Sequence, residues 1–190
     1  MTVREQVWRF QNILFCHSFF APLRGRGLLF YHMATALKNL SDYSLENSIG
    51  TERRTFAIVV AEWNPEVTEK LYEGAYRTLL KEGVKPENIV RRNVPGSFEL
   101  SLAAQWMAAR HDIDAVLCLG CVIQGETRHF DFICNAVAHG LTDVALKYNK
   151  PVVFGVLTPE NQQQALDRAG GKHGNKGDEA AVTAIKMLRF

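Results

Sequence analysis

Gly120-Cys121-Val122-Ile123-Gln124-Gly125-Glu126-Thr127-Arg128-His129-Phe130-Asp131 is the stretch on which the reading of this chain turns. The apolar run Ala115-Val116-Leu117-Cys118-Leu119 precedes it and reads as a buried strand. Phe132 to Tyr148 follows, with Ile133, Ala136, Val137, Gly140, Leu141, Val144, Ala145 and Tyr148 spaced as one apolar helix face. A strand therefore ends, a glycine-hinged loop turns, and a helix begins. In a parallel α/β sheet, ligands sit beyond the carboxyl ends of the strands. A helix start at that place offers unpaired backbone N–H groups to an anion. Gly125 lets the backbone approach a ligand, Thr127 can add a hydroxyl, and His129 in the first turn is a candidate base.

The pattern repeats on both sides of this corner. Phe56-Ala57-Ile58-Val59-Val60-Ala61 is a continuous apolar run, as expected of a strand covered on both faces. Asn64-Pro65 reads as a helix cap and first position, with Val67, Leu71, Ala75 and Leu79 inward and Gly83 as the stop. Asn88 to Val94 is a second strand. Pro95-Gly96-Ser97 turns into a helical segment from Phe98 to Arg110, with an apolar stripe of Leu102, Ala103, Trp106 and Met107. Pro151 to Leu157 is a fourth strand. Thr158-Pro159 is expected to open a helix that Gly170-Gly171 ends, and Asn175 to Arg189 is the last helix, with Ala181, Ala184, Ile185 and Leu188 inward. Strand–helix alternation predicts an α/β three-layer sandwich, a four-stranded parallel sheet flanked by helices on both faces, with flavodoxin-like topology.

The 190 residues suffice for one domain with a substantial core, and nearly half of them are apolar. A formal charge of +2, with the basic residues scattered, argues against nucleic acid as a partner. No apolar run is long enough to span a bilayer. Cys118 and Cys121 form a C-x-x-C, but a strand's period of two points them to opposite faces. They read, with Cys16 and Cys134, as small hydrophobes in a reducing, cytoplasmic compartment rather than as metal or redox groups. Residues 1–50 differ in character from the rest and are expected to be an N-terminal extension ahead of a domain at 51–190. Within it, residues 1–32 hold four arginines and one acid. Their reading is disordered or untranslated sequence before a start at Met33, the alternative being an organellar transit peptide. A short edge strand is expected near Asn47-Ser48-Ile49.

The strand ends should converge. After the first come Trp63 and Asn64; after the second, Gly96, Ser97, Phe98 and Glu99; after the third, Gly125, Glu126, Thr127 and His129. Phe154 lies on the fourth strand, and Arg168 near the end of the helix after it. Flat rings, a carboxylate, a histidine, a helix start and a guanidinium suit a planar polar ring, hydroxyl groups and a phosphate. No metal-ligand cluster is among them.

Pro95-Gly96-Ser97-Phe98-Glu99, Gly120 to Asp131, and Arg168-Ala169-Gly170-Gly171-Lys172-His173-Gly174-Asn175-Lys176-Gly177 together resemble the 6,7-dimethyl-8-ribityllumazine synthases. The resemblance runs from about Thr55 to the C-terminus. It implies condensation of 5-amino-6-(D-ribitylamino)uracil with 3,4-dihydroxy-2-butanone 4-phosphate in riboflavin biosynthesis. An amine adds to a carbonyl, phosphate leaves, a ring closes and water is lost, with no metal or organic cofactor. Such chemistry asks for proximity and proton transfer.

The resemblance also implies roles. Trp63 would stack on the pyrimidine, beside Asn64, with Gly96, Ser97, Phe98, Val122 and Ile123 lining that end of the pocket. Glu99 would accept hydrogen bonds from ribityl hydroxyls. His129 would transfer protons. Gly125, Glu126 and Thr127 would hold phosphate through backbone N–H groups, with Arg168 as a guanidinium fork. Lys176 would reach a pyrimidine oxygen or the phosphate region, and Phe154 would close the pocket from a neighbouring subunit. The chain departs from many members in having Gln124 in place of Arg and Glu126 in place of a small residue. Family members place the site between the subunits of a homopentamer, twelve pentamers forming a hollow shell in some, and association with riboflavin synthase is open to such an assembly.

Two other classes fit the same strand–helix pattern less well. A flavodoxin-type binder needs a Gly/Ser/Thr-rich loop after the first strand, where Glu62-Trp63-Asn64-Pro65 stands, and a receiver domain needs an Asp where Gly120 stands. A non-catalytic shell-forming or ligand-binding protein on the same fold is the alternative function, against which the presence of His129, Arg168 and Glu99 speaks.

Overall fold

Phe56–Ala61 forms the first strand, β1, and its side chains divide between the two faces of the sheet by simple alternation. Phe56, Ile58 and Val60 enter one apolar cluster; Ala57, Val59 and Ala61 enter the other. The computed structural model describes residues 50–190. The expectations for residues 1–32, for Cys16 and for an edge strand near Asn47 lie outside the described residues.

Four parallel strands make the sheet: β1, β2 (Ile89–Val94), β3 (Ala115–Cys121) and β4 (Val152–Leu157), in spatial order β2-β1-β3-β4. α1 (Pro65–Lys81) and α5 (Lys176–Met187) supply inward residues to the first cluster. α2 (Leu100–Ala108) and α3 (His129–Tyr148) supply them to the second. The three-layer α/β sandwich is thus as expected. The order of strands reverses between β1 and β3, so the switch point, where such sheets bind ligands, lies between their carboxyl ends. Val60 pairs with Leu119 across that point, and β3 runs on to Cys121, one residue past the end of β1. Cys118 and Cys121 fall in opposite clusters, as their spacing predicts.

Several local expectations are corrected. β3 runs through Gly120 and Cys121, and α3 starts at His129 rather than Phe132. On α2, Leu102 and Trp106 face outward, while Leu100, Ala103, Ala104 and Ala108 are buried. The helix is apolar nearly all round, and the small residues win the inward position because α2 and α3 pack closely: a Cβ at Gly140 would strike Ser101 Oγ. The segment after β4 holds a helix of only five residues, α4 (Gln162–Leu166), capped by Asn161, whose side chain accepts from the Gln164 amide. Gly170 and Gly171 do not end a helix. They belong to a small antiparallel hairpin, β5 (Ala169–Gly171) with β6 (Gly174–Asn175). Arg168 stands between α4 and this hairpin.

α1 and α5 meet nearly backbone to backbone. A Cβ at Gly177, in the first turn of α5, would overlap the Leu71 carbonyl oxygen of α1, and one at Gly74 would lie 2.5 Å from Asp178 Oδ1. Gly177→Ala must therefore push the helices apart. Overpacking of this kind costs about 1–3 kcal/mol, and a thermal midpoint clearly below that of the parent protein is expected in calorimetry. An unchanged midpoint would mean that the contact is looser than the structure has it.

Candidate active site

The turn after β1 is built around Asn64. This residue does not cap α1 with its side chain, as its type suggested. Its backbone is left-handed (φ 60°, ψ 53°), a conformation asparagine tolerates better than most residues. Its side-chain amide instead donates to the carbonyl of Cys121 at 3.0 Å, tying the turn after β1 to the end of β3. The turn leaves Trp63 projecting, 71% exposed. Gly96 allows the loop after β2 to close on this ring: a Cβ there would stand 3.3 Å from Trp63 Cδ1 and 3.1 Å from Glu99 Oε2. Trp63, Gly96 and Glu99 thus form one patch at the switch point. Phe98 is exposed beside them in the chain. Ser97 is buried, its hydroxyl 2.6 Å from where a Cβ of Gly120 would stand. Gly120 is therefore required for the loop after β2 to lie against β3.

Beyond β3 the backbone of the next loop is pinned toward β4. Val122 donates its N–H to the Leu157 carbonyl at 2.8 Å, and Gln124 to that of Pro159 at 2.9 Å. Val122 and Ile123 are half-buried, packed against the two clusters on opposite sides of the sheet. Gly125, Glu126 and Thr127 are exposed, with open space around the Gly125 α-carbon. Thr127 Oγ1 accepts from the His129 amide at 3.4 Å, at the start of α3. His129 itself is exposed at that helix start, as the sequence placed it.

The remaining predicted residues lie elsewhere. Phe154, Arg168 and Lys176 line an open groove of about 1050 Å³ along the outer edge of β4, bounded by α3 and α5; its lining includes neither Trp63, Glu99 nor His129. In this single chain the predicted set falls into two groups. One, at the switch point, has the ring, the carboxylate, the loop and the histidine. The other, in the groove, has a half-exposed aromatic ring and two cations.

A family model described as 6,7-dimethyl-8-ribityllumazine synthase matches residues 53–190. The chain belongs to the 6,7-dimethyl-8-ribityllumazine synthase family. Among its relatives bearing that name, a protein of Cytophaga hutchinsonii is 68% identical over 156 residues, which span 82% of this chain and 98% of the relative. One of Parabacteroides distasonis is 55% identical over 158 residues, 83% of this chain and 99% of the relative. A third, of Porphyromonas gingivalis, is 52% identical over 155 residues, 82% and 96% of the two chains.

The two cations of the groove are held by neighbours to which the sequence motifs gave no role. Arg168 Nη1 donates to the Gln164 carbonyl at 3.0 Å, so the last turn of α4 aims the guanidinium. The adjacent carboxylate of Asp167 is engaged by Lys172 at 2.9 Å. Hydrogen bonding from Gln163, then from Lys172, holds its pKa below the usual value. Lys176 is gripped by both oxygens of Glu179, at 2.7 and 2.8 Å. Glu179 is not singled out by the sequence motifs; its i,i+3 spacing from Lys176 is the signal that could have found it. Among the described residues, no group of three or more His, Cys, Asp or Glu side chains could hold a metal ion. Burial pushes the Cys121 thiol up to about 11 and raises that of Cys118 too; burial and the charge of Asp131 raise that of Cys134. Thiolates, the form that binds metal or attacks disulfides, are disfavoured at all three. Among the described residues, no helix is long and apolar enough to cross a membrane.

Proposed function

We infer that this chain is a working 6,7-dimethyl-8-ribityllumazine synthase. It is a transferase that condenses 5-amino-6-(D-ribitylamino)uracil with 3,4-dihydroxy-2-butanone 4-phosphate, releasing phosphate and water. The observation that carries the residue assignments is the patch at the switch point, where Trp63, Gly96 and Glu99 touch beside the loop leading to His129. Trp63 offers its exposed face to the pyrimidine. Ser97 and Phe98, with Val122 and Ile123, present backbone groups to its polar edge, and Asn64 holds the two walls together. Glu99 accepts from ribityl hydroxyls. The backbone of Gly125, Glu126 and Thr127 faces the phosphate, and His129 moves protons between the reacting amine, the carbonyl and the leaving phosphate. Glu126 contributes its N–H group; its side chain is exposed and is given no part in holding the anion.

Phe154, Arg168 and Lys176 complete the site from a neighbouring copy. Two features support this. The three residues line a groove apart from the switch point. Large apolar side chains are also left exposed along α2 and α3 (Leu102, Trp106, Phe132, Leu146), and such faces are normally covered in an assembly. The active species is a homo-oligomer, a pentamer on the family's pattern, working in the cytoplasm. Larger shells and association with riboflavin synthase are further assemblies open to it.

The test is direct. Purified protein mixed with both substrates should generate the fluorescent lumazine together with inorganic phosphate, in step. Phosphate release without fluorescence, or neither signal from a folded oligomer, would overturn the proposal.

A further inference from the structure

Asn175 is a polar residue only 6% exposed, at the start of α5, and the motifs gave it no role. Its carboxamide uses both ends. Oδ1 accepts from the Gly177 N–H at 2.8 Å, capping α5. Nδ2 donates to the carbonyl of Lys70 in α1, also at 2.8 Å and 105 residues away in sequence. The amide fits because α1 has a notch: a Cβ at Gly74 would lie 2.6 Å from both Cγ and Nδ2 of Asn175. Both groove cations are tied to this point. Lys176 is the next residue, and its N–H donates to the Arg168 carbonyl at 2.9 Å. Ala169, next to Arg168, pairs with Asn175 in the hairpin. The start of α1, about one to two turns before this contact, follows Asn64, which is bonded to Cys121 and stands directly after Trp63.

We propose that Asn175 is a positioning residue for the synthase reaction: its carboxamide, seated in the notch of α1, sets where the Arg168 guanidinium and the Lys176 ammonium stand relative to the sheet. The proposal rests on the reading that Arg168 receives the phosphate of the ketone substrate, with Lys176 beside it. An aspartate would keep the cap acceptor and lose the donor. A serine would keep a good cap and lose the reach to Lys70. Neither can do both, whereas simple capping would be satisfied by each.

Asn175→Ser and Asn175→Asp test this in the assembled enzyme, with Arg168→Ala alongside. Both Asn175 variants should raise KM for the phosphorylated ketone about tenfold, the scale of one lost buried hydrogen bond. The inhibition constant of inorganic phosphate should rise in step, while kcat and KM for the pyrimidine stay within about twofold. Hydrogen exchange at the Lys176 amide should quicken while that of β3 does not. An unchanged ketone KM with Arg168→Ala raising it overturns the role of Asn175. So does an equal loss for both substrates, or loss of the folded state in both variants, since each marks a purely structural part. An unchanged KM in Arg168→Ala itself overturns instead the reading on which the proposal rests.

Discussion

Substituting alanine for His129 is expected to lower kcat about a hundredfold while leaving both KM values near those of the parent enzyme. Positioned proton transfer is worth roughly 10²–10⁴ in rate, and the lower end applies here. The condensation draws much of its acceleration from holding two substrates together, which the variant retains. The side chain is exposed at the first position of α3, and the Thr127 hydroxyl bonds to its backbone N–H rather than to its ring. Removing the imidazole therefore leaves the loop's anchoring intact, and the thermal midpoint should stay put. Steady-state kinetics beside a melting curve separate the two effects. An undiminished turnover would take His129 out of the mechanism.

Arg168→Ala should do the opposite. KM for the phosphorylated ketone is expected to rise by about ten- to a hundredfold, with kcat at saturation little changed. Hydrogen bonds to a charged group contribute roughly 1.5–3 kcal/mol, which spans that range. The guanidinium is directed by the Gln164 carbonyl, and the neighbouring Asp167 carboxylate is already held by Lys172, so its charge is available to an anion. Lys176 is tied to Glu179 and cannot readily replace it. Inorganic phosphate should lose inhibitory strength in parallel, while KM for the pyrimidine should not move. An unchanged ketone KM would remove Arg168 from the phosphate site.

The fold was readable because its strands are buried on both faces. Phe56–Ala61 and Ala115–Leu119 carry no polar residue, and only a covered parallel sheet accommodates such runs. Periodicity failed where it carried no information. On α2 all but Ser101 and Gln105 are apolar, so the choice between Leu102/Trp106 and Ala103/Ala104 depends on how near α3 comes, a fact of tertiary packing. The hairpin at Ala169–Asn175 has no distinct sequence signal, because two glycines suggest a helix stop equally well. Asn64 differs for a related reason: residue type predicts a cap, but its bond is to Cys121, 57 residues away in sequence, and draws the side chain elsewhere. The loop from Gly120 to His129 was the most legible part of the site, since strand, glycine hinge and helix start are all local. The separation of Arg168 and Lys176 from that loop was not, because sequence order says nothing about which sheet edge a residue lines; for Phe154 the family resemblance already implied a place on a neighbouring subunit.

That separation has a genetic corollary. When a working centre borrows half its groups from next door, two crippled proteins can mend each other. Oligomers reassembled from a mixture of His129→Ala and Arg168→Ala chains would contain some junctions where an intact histidine meets an intact arginine, and those junctions would turn over although neither parent does so at low substrate. A site confined to single chains would show no such rescue, however the subunits were shuffled.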